Sequence, residues 1–156
     1  MPPGRSLLVD AAMFLALILI GVAGYKLSPL LLPKADVTVN PAADCDLQSG
    51  ACSATLPAGG RLIFALTPQP IPVTAPLEMV VLLDGISADQ VAVDFAGVSM
   101  NMGYNRPVLA PVGPGRFAGQ TTLPVCVTGR MTWQATVLIE TGRMRIAVPF
   151  RFEAGK

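Results

Sequence analysis

Hydrophobic and polar positions divide the chain into a long apolar segment and a β-patterned remainder. Residues 6–25, SLLVDAAMFLALILIGVAGY, are apolar except at a few positions, of which Asp10 alone is charged. Twenty helical residues rise about 30 Å, the thickness of a bilayer core. The segment therefore predicts a transmembrane anchor, with residues 1–5 as a cytoplasmic N-terminus and residues 26–43 as a linker. Cleavage of a signal peptide near the small residues 22–24 is the alternative, but the apolar run is longer than a typical signal.

From residue 44 onward, short apolar or alternating runs are separated by turn signals. Alternation with period two indicates strands, and the chain's fifteen glycines and fifteen prolines favour turns over helices. The pattern predicts an all-β domain over residues 44–156, an antiparallel β-sandwich of seven or eight strands. The main predicted strands are RLIFALT (61–67), LEMVVLL (77–83), QVAVDFAG (90–97), VSMNMG (98–103), GRFAGQTTLPV (115–125), RMTWQATVLIE (130–140) and RMRIAVPFRFE (143–153).

Composition excludes several classes of function. The chain contains no histidine, which excludes histidine-based catalytic triads, histidine-ligated zinc and haem, and cupredoxin-type copper sites. A net charge of +1 does not provide the basic surface that nucleic acids require. The carboxylates show no paired spacing typical of acid–base catalysis, so we expect no enzyme. Any metal ion must be bound by sulfur, carboxylate or backbone ligands.

Two cysteines indicate the compartment of the β-domain. Cys45 and Cys52 lie in a polar loop, and their separation favours a local structural disulfide over a catalytic C-x-x-C dithiol. Arg5 on one side of the anchor and Lys26 and Lys34 on the other leave the positive-inside count nearly tied. Because a disulfide persists in an oxidising compartment, the pair predicts that the domain faces the periplasm of a bacterial inner membrane.

Three methionines and the third cysteine are the candidate metal ligands. On a strand, Met100 and Met102 would point to one face and Asn101 to the other. Thioether and thiolate sulfur select Cu(I) and need no histidine. Cys126, left over when the other two cysteines pair, and Met131 are candidates to complete the site. The alternative is structural, because methionine fills gaps in cores and free cysteine is often buried.

The motifs MNMGYNRP (100–107) and LPVC (123–126) carry a resemblance to a known family. With the preceding CDLQSGACSATLPAGG, residues 44–152 resemble small membrane-anchored periplasmic proteins of the FixH-like and YtkA-like type, found beside SCO-type copper chaperones. The resemblance implies an immunoglobulin-like β-sandwich involved in copper handling and cytochrome oxidase assembly. Members usually combine methionine with histidine in their presumed copper site. Because this chain has no histidine, the copper ligands implied by the resemblance are limited to Met100, Met102, Cys126 and Met131.

Two functions follow as hypotheses. The first is a membrane-tethered Cu(I) carrier that exchanges the ion with a thioredoxin-fold copper chaperone or an oxidase subunit. The second is an accessory or assembly subunit without metal, which docks on a membrane complex through its β-sandwich and its helix. In the second case Asp10 would find a partner in a neighbouring helix, or would lie in the membrane interface and need none. A thiol–disulfide enzyme is disfavoured, because no close dithiol lies at a helix N-terminus.

Overall fold

The chain folds into two compact units, which lie within residues 1–34 and residues 35–156. The computed structural model describes residues 3–31, 35–124, 129–142 and 144–155. The first unit is a single helix and the second is built from strands, so the predicted combination of one N-terminal apolar helix with an all-β remainder is confirmed.

The N-terminal unit is the helix α1, Pro3–Leu31, which has no amphipathic face. Its window Val9–Lys26 has a mean hydropathy of 1.7, and its side chains are exposed within the unit. A helix that is apolar on every side needs an apolar environment to cover it. Its length and composition are those of a membrane anchor or a signal sequence. The helix continues to Leu31, which is inside the segment predicted to be a linker.

Nine strands form the second unit within the described residues. Alternation of buried and exposed positions is clearest in the fourth and eighth strands, as expected for strands with one face on a core. The strands are β1 Val37–Thr38, β2 Cys52–Thr55, β3 Arg61–Thr67, β4 Pro76–Asp84, β5 Gln90–Gly97, β6 Val108–Gly113, β7 Arg116–Thr122, β8 Met131–Thr141 and β9 Met144–Ala154, and a short 3₁₀ turn, Pro57–Gly59, precedes β3.

All nine strands join in one curled sheet, in the order β1-β9-β8-β5-β6-β7-β4-β3-β2. Neighbouring strands are antiparallel except β1, which pairs in parallel with β9 through Val37 and Ile146. Thus one edge of the sheet departs from the predicted antiparallel arrangement. Near the middle of the order, β6 pairs with β5 on one side and with β7 on the other, and so joins the two halves of the sheet.

The curled sheet encloses one apolar core. Phe64 of β3 and Phe150 of β9 belong to opposite halves of the sheet, yet their ring centroids are 5.3 Å apart. Trp133 of β8 is also completely enclosed. Within the described ranges no residue with a polar or charged side chain is fully buried. Burial of apolar area is therefore the main stabilising term of this domain.

The predicted Cys45–Cys52 disulfide is present and closes a loop that packs on the core. Leu47, inside the loop, is completely buried. The side-chain amide of Gln48 donates a hydrogen bond to the carbonyl of Glu153 in β9. The loop lies in the chain between β1 and β2, which begins at Cys52. These two strands are the outer ends of the strand order.

A carboxylate organises the interior of the same loop. The hydroxyl of Ser49 and the backbone N–H of Gln48 both donate to the carboxylate of Asp46, at 2.6 and 2.9 Å. The hydroxyl, and secondly the backbone N–H, lower the pKa of Asp46 below its usual value. The ionised carboxylate is therefore the form that these hydrogen bonds of the loop stabilise.

Candidate metal-binding site

The segment that carries Met100 and Met102 is a turn, so the prediction of a strand over residues 98–103 is wrong. The carboxamide oxygen of Asn101 accepts a hydrogen bond from the backbone N–H of Gly103 at 2.9 Å, and Gly103 has a φ of +84°. Asparagine commonly bonds to the backbone two residues ahead, and glycine tolerates a positive φ. These local preferences outweigh the alternation of apolar residues.

The turn sends the two methionine side chains into different environments, so they do not share the face expected from a strand. Met100 is 40% exposed, whereas Met102 is half-buried and packs against the core. Asn101, between them, is exposed, as expected. Residues 98–101 are all exposed, and Met102 is the residue of the turn that packs against the core.

Met131 lies at the start of β8 and points into the core, with 6% of its surface exposed. Met131 and Met102 both approach the space above Gly97, the last residue of β5. A Cβ atom placed on Gly97 would lie 2.6 Å from Cε of Met131 and 3.1 Å from Cγ of Met102. The same point is 2.4 Å from the carbonyl oxygen of Met100. Two thioether side chains therefore fill the space that a side chain at residue 97 would occupy.

Trp133 continues the inner face on which Met131 lies. Trp133 pairs with Gly97 across the β5–β8 ladder, and 1% of its surface is exposed. Its indole Nε1 has no hydrogen-bond partner among the residues that the structure describes. Trp133 is thus adjacent to Gly97 across the ladder and shares the inner face of β8 with Met131.

Three of the four predicted ligands, Met100, Met102 and Met131, lie in the described residues. Cys126 lies outside the described residues. Across the described part of the chain, histidine, cysteine, aspartate and glutamate form no group of three that could hold a metal ion. Among the predicted ligands that are described, the side chains of Met102 and Met131 both lie near Gly97. Met100 contributes its backbone carbonyl to the same place and lies two residues before Met102 in the turn. Thioether sulfur is therefore the donor that this site offers.

The site opens to solvent through a shallow depression of about 350 Å³, lined by residues 96–103. Met100 and Met102 both line this depression. An ion can thus reach Met100 and Met102 from solvent without passing through the core, whereas Met131 is not part of the lining.

The C-terminal side of the turn is fixed to the sheet on both sides. Backbone N–H of Phe95 donates to the carbonyl of Asn105, whose side chain accepts from the hydroxyl of Thr121 in β7 at 2.9 Å. Nε of Arg106 lies 3.1 Å from Asp94 in β5, and this hydrogen bond raises the pKa of Arg106. Asn105 and Arg106 of the YNRP motif therefore anchor the turn to the sheet.

Gly97 is the residue of this site that the sequence analysis missed. In β5 the inward positions are Val91, Val93 and Phe95, and the next position in that alternation is Gly97. A glycine at an inward position of a strand often marks a close approach by another group, which is the signal that would have revealed it.

Comparison of the chain with protein-family models, with curated proteins and with solved structures found no match.

Proposed function

We propose that the protein is a membrane-anchored Cu(I)-binding protein that holds the ion between Met102 and Met131. The observation that carries this proposal is the approach of the two thioether side chains to the space above Gly97, beside an opening to solvent. Met100, on the outer side of the same turn, supplies a third thioether close to the entrance. Cys126 remains a proposed further ligand on the strength of the sequence.

The chemistry of the donors favours Cu(I) over harder ions. Thioethers are neutral, polarisable ligands that suit Cu(I), whereas magnesium and calcium require oxygen and zinc prefers imidazole or thiolate. A single positive charge is also the smallest charge to desolvate at the edge of an apolar core.

The cellular location, the fold and the partner of the protein are part of the same proposal. The anchor helix and the disulfide support a location in a bacterial inner membrane, with the β-domain in the periplasm. The curled two-sided arrangement of strands supports an immunoglobulin-like sandwich as the fold. A thioredoxin-fold copper chaperone or an oxidase subunit is the proposed partner, in cytochrome oxidase assembly, and no catalysis is proposed.

The direct test is an anaerobic titration of the full chain in detergent micelles with Cu(I), against a chromophoric Cu(I) chelator. We expect one tightly bound equivalent, lost in the Met102→Leu/Met131→Leu variant. Leucine keeps the volume and removes the sulfur, so folding should be retained. Met144→Leu is the matched control, because Met144 is half-buried at the other end of the β8–β9 hairpin. Equal binding by the double variant, or none by the parent, would reject the proposal.

A second candidate function is an accessory subunit that docks on a membrane complex without metal. Exposed large apolar side chains follow one another along residues 98–112: Val98, Met100, Tyr104, Val108 and Val112. Exposed apolar patches commonly mark protein interfaces. Under this hypothesis, a partner cross-linked in native membranes is lost in Val108→Ser/Val112→Ser and retained in Met102→Leu/Met131→Leu. The reverse pattern would favour the copper carrier.

A further inference from the structure

We propose that Met100 is the exchange ligand of the site, the residue at which Cu(I) passes between this protein and the soft ligands of another protein. The inference rests on the proposed function and adds a division of labour among the three methionines. Met102 and Met131 hold the ion, and Met100 exchanges it.

The three thioethers form a graded series from solvent to core. Met100 is 40% exposed, Met102 is half-buried and Met131 is 6% exposed. The hydrogen bond between Asn101 and Gly103 closes the turn that contains the exposed Met100 and the half-buried Met102. Met100 and Met102 line one depression, so an ion moving between them stays within it.

Exposure decides which sulfur a partner can reach. During a direct transfer the copper ion must for a moment be bound by ligands from both proteins. Met131 is enclosed, and Met102 is half-buried with part of its side chain against the core, so both are less open to a ligand of another protein than Met100. Asn105 and Arg106 fix the C-terminal side of the turn to the sheet, which opposes a movement that would expose the two inner methionines further. Met100 is the thioether that reaches a partner in the folded turn.

The step is a ligand exchange without redox chemistry. A bond between copper and a ligand atom of the donor breaks as a bond to Sδ of Met100 forms. Met102 and Met131 then displace the remaining donor ligands, and the reverse order delivers the ion. Copper stays Cu(I) throughout, and because thioethers carry no proton, none is taken up or released.

The test separates the rate of transfer from the equilibrium. Cu(I) is presented as its bicinchoninate complex to the full chain in micelles, and the loss of the complex is followed by stopped-flow absorbance. The reverse transfer starts from the loaded protein and excess bicinchoninate. We expect Met100→Leu to slow both directions by about the same factor, tenfold or more, with the equilibrium constant unchanged. Met102→Leu should instead weaken the equilibrium binding, and Met144→Leu should change neither.

The outcomes distinguish this inference from the function on which it rests. If the parent removes no copper from the complex, the proposed function fails and the exchange role fails with it. If the parent binds but Met100→Leu weakens the equilibrium as much as Met102→Leu, Met100 is a resident ligand and the exchange role alone is rejected. Unchanged rates in Met100→Leu reject it as well. Circular dichroism of each variant verifies that the β-domain is folded.

Discussion

Replacing Gly97 with alanine should disturb both the stability of the β-domain and the thioether pair. The added Cβ atom would lie 2.4 Å from the carbonyl oxygen of Met100, and Cβ contacts below 3.0 Å are essentially never found. The turn backbone must therefore retreat by about 0.6 Å, the difference between 3.0 and 2.4 Å. Met131 must also rotate its terminal methyl group away, because Cε would be 2.6 Å from the new atom.

The magnitude follows from two opposing terms. Forcing one extra methyl group into a packed site costs about 1–3 kcal/mol. Gly97 is not among the glycines with a positive φ, so alanine fits the backbone there and restricts the unfolded chain, which stabilises by about 0.4–1 kcal/mol. The free energy of unfolding should fall by about 1–2 kcal/mol. For a domain of this size, Tm should fall by roughly 4–8 °C.

Urea unfolding followed by tryptophan fluorescence measures this change in the full chain. Trp133 is the chain's single tryptophan and lies in β8, so the signal reports the β-domain alone. Gly119→Ala is the control, because its Cβ would meet side-chain atoms at 3.4 and 3.5 Å, ordinary contact distances. We expect Gly119→Ala to be neutral or slightly stabilising. If Gly97→Ala is as stable as Gly119→Ala, and binds Cu(I) like the parent, the close packing above Gly97 is refuted.

Four further predictions concern the disulfide loop and the sulfur ligands. Replacing both Cys45 and Cys52 with alanine should lower the free energy of unfolding by about 2.5 kcal/mol, the chain-entropy value for so short a loop, as measured by urea unfolding. Because the pKa of Asp46 is lowered in the folded loop, its contribution is present above about pH 4 and is lost as the pH falls through that lowered value. Asp46→Asn should therefore show a weaker loss of stability in acid, and an unchanged acid profile would contradict this. Cu(I) affinity should be constant between about pH 5.5 and 8 if methionines alone bind, and should rise with pH if the thiol of Cys126 contributes. Peroxide should convert Met100 to its sulfoxide before the buried methionines of the β-domain, an order that peptide mass spectrometry measures.

Much of the fold could be predicted because the signals are local. The strands β3 and β5 coincide with the predicted segments 61–67 and 90–97, and β8 and β9 differ from theirs by one residue at each end. Alternation over seven or more residues leaves one arrangement that buries the apolar face. By contrast β1, with two residues, and β6, with mostly exposed positions, carry no such pattern and were not predicted. Their strand conformation depends on the neighbours with which they pair.

The candidate ligands come from the sequence, whereas the geometry of the segment that carries them differs from the prediction. The absence of histidine leaves sulfur as the soft donor, and Met100, Met102 and Met131 are candidate ligands on that ground. The prediction of a strand placed Met100 and Met102 on the same face, which is wrong. The carboxamide of Asn101 accepts a hydrogen bond from the backbone N–H of Gly103, and this bond favours a turn over a strand. Which of the two methionines packs inward depends on whether the segment forms a strand or a turn, and the alternation of apolar residues alone does not decide this.

By itself, the sequence determined the apolar helix, the β-rich domain and the pairing of Cys45 with Cys52. Each follows from residues that are close along the chain, where hydropathy, period and loop length act directly. Only the tertiary structure decided that Met102 and Met131 both approach the space above Gly97, because this arrangement requires the register of β5 against β8. Register is set by the packing of the whole curled sheet, and it brings together residues 29 positions apart in the sequence.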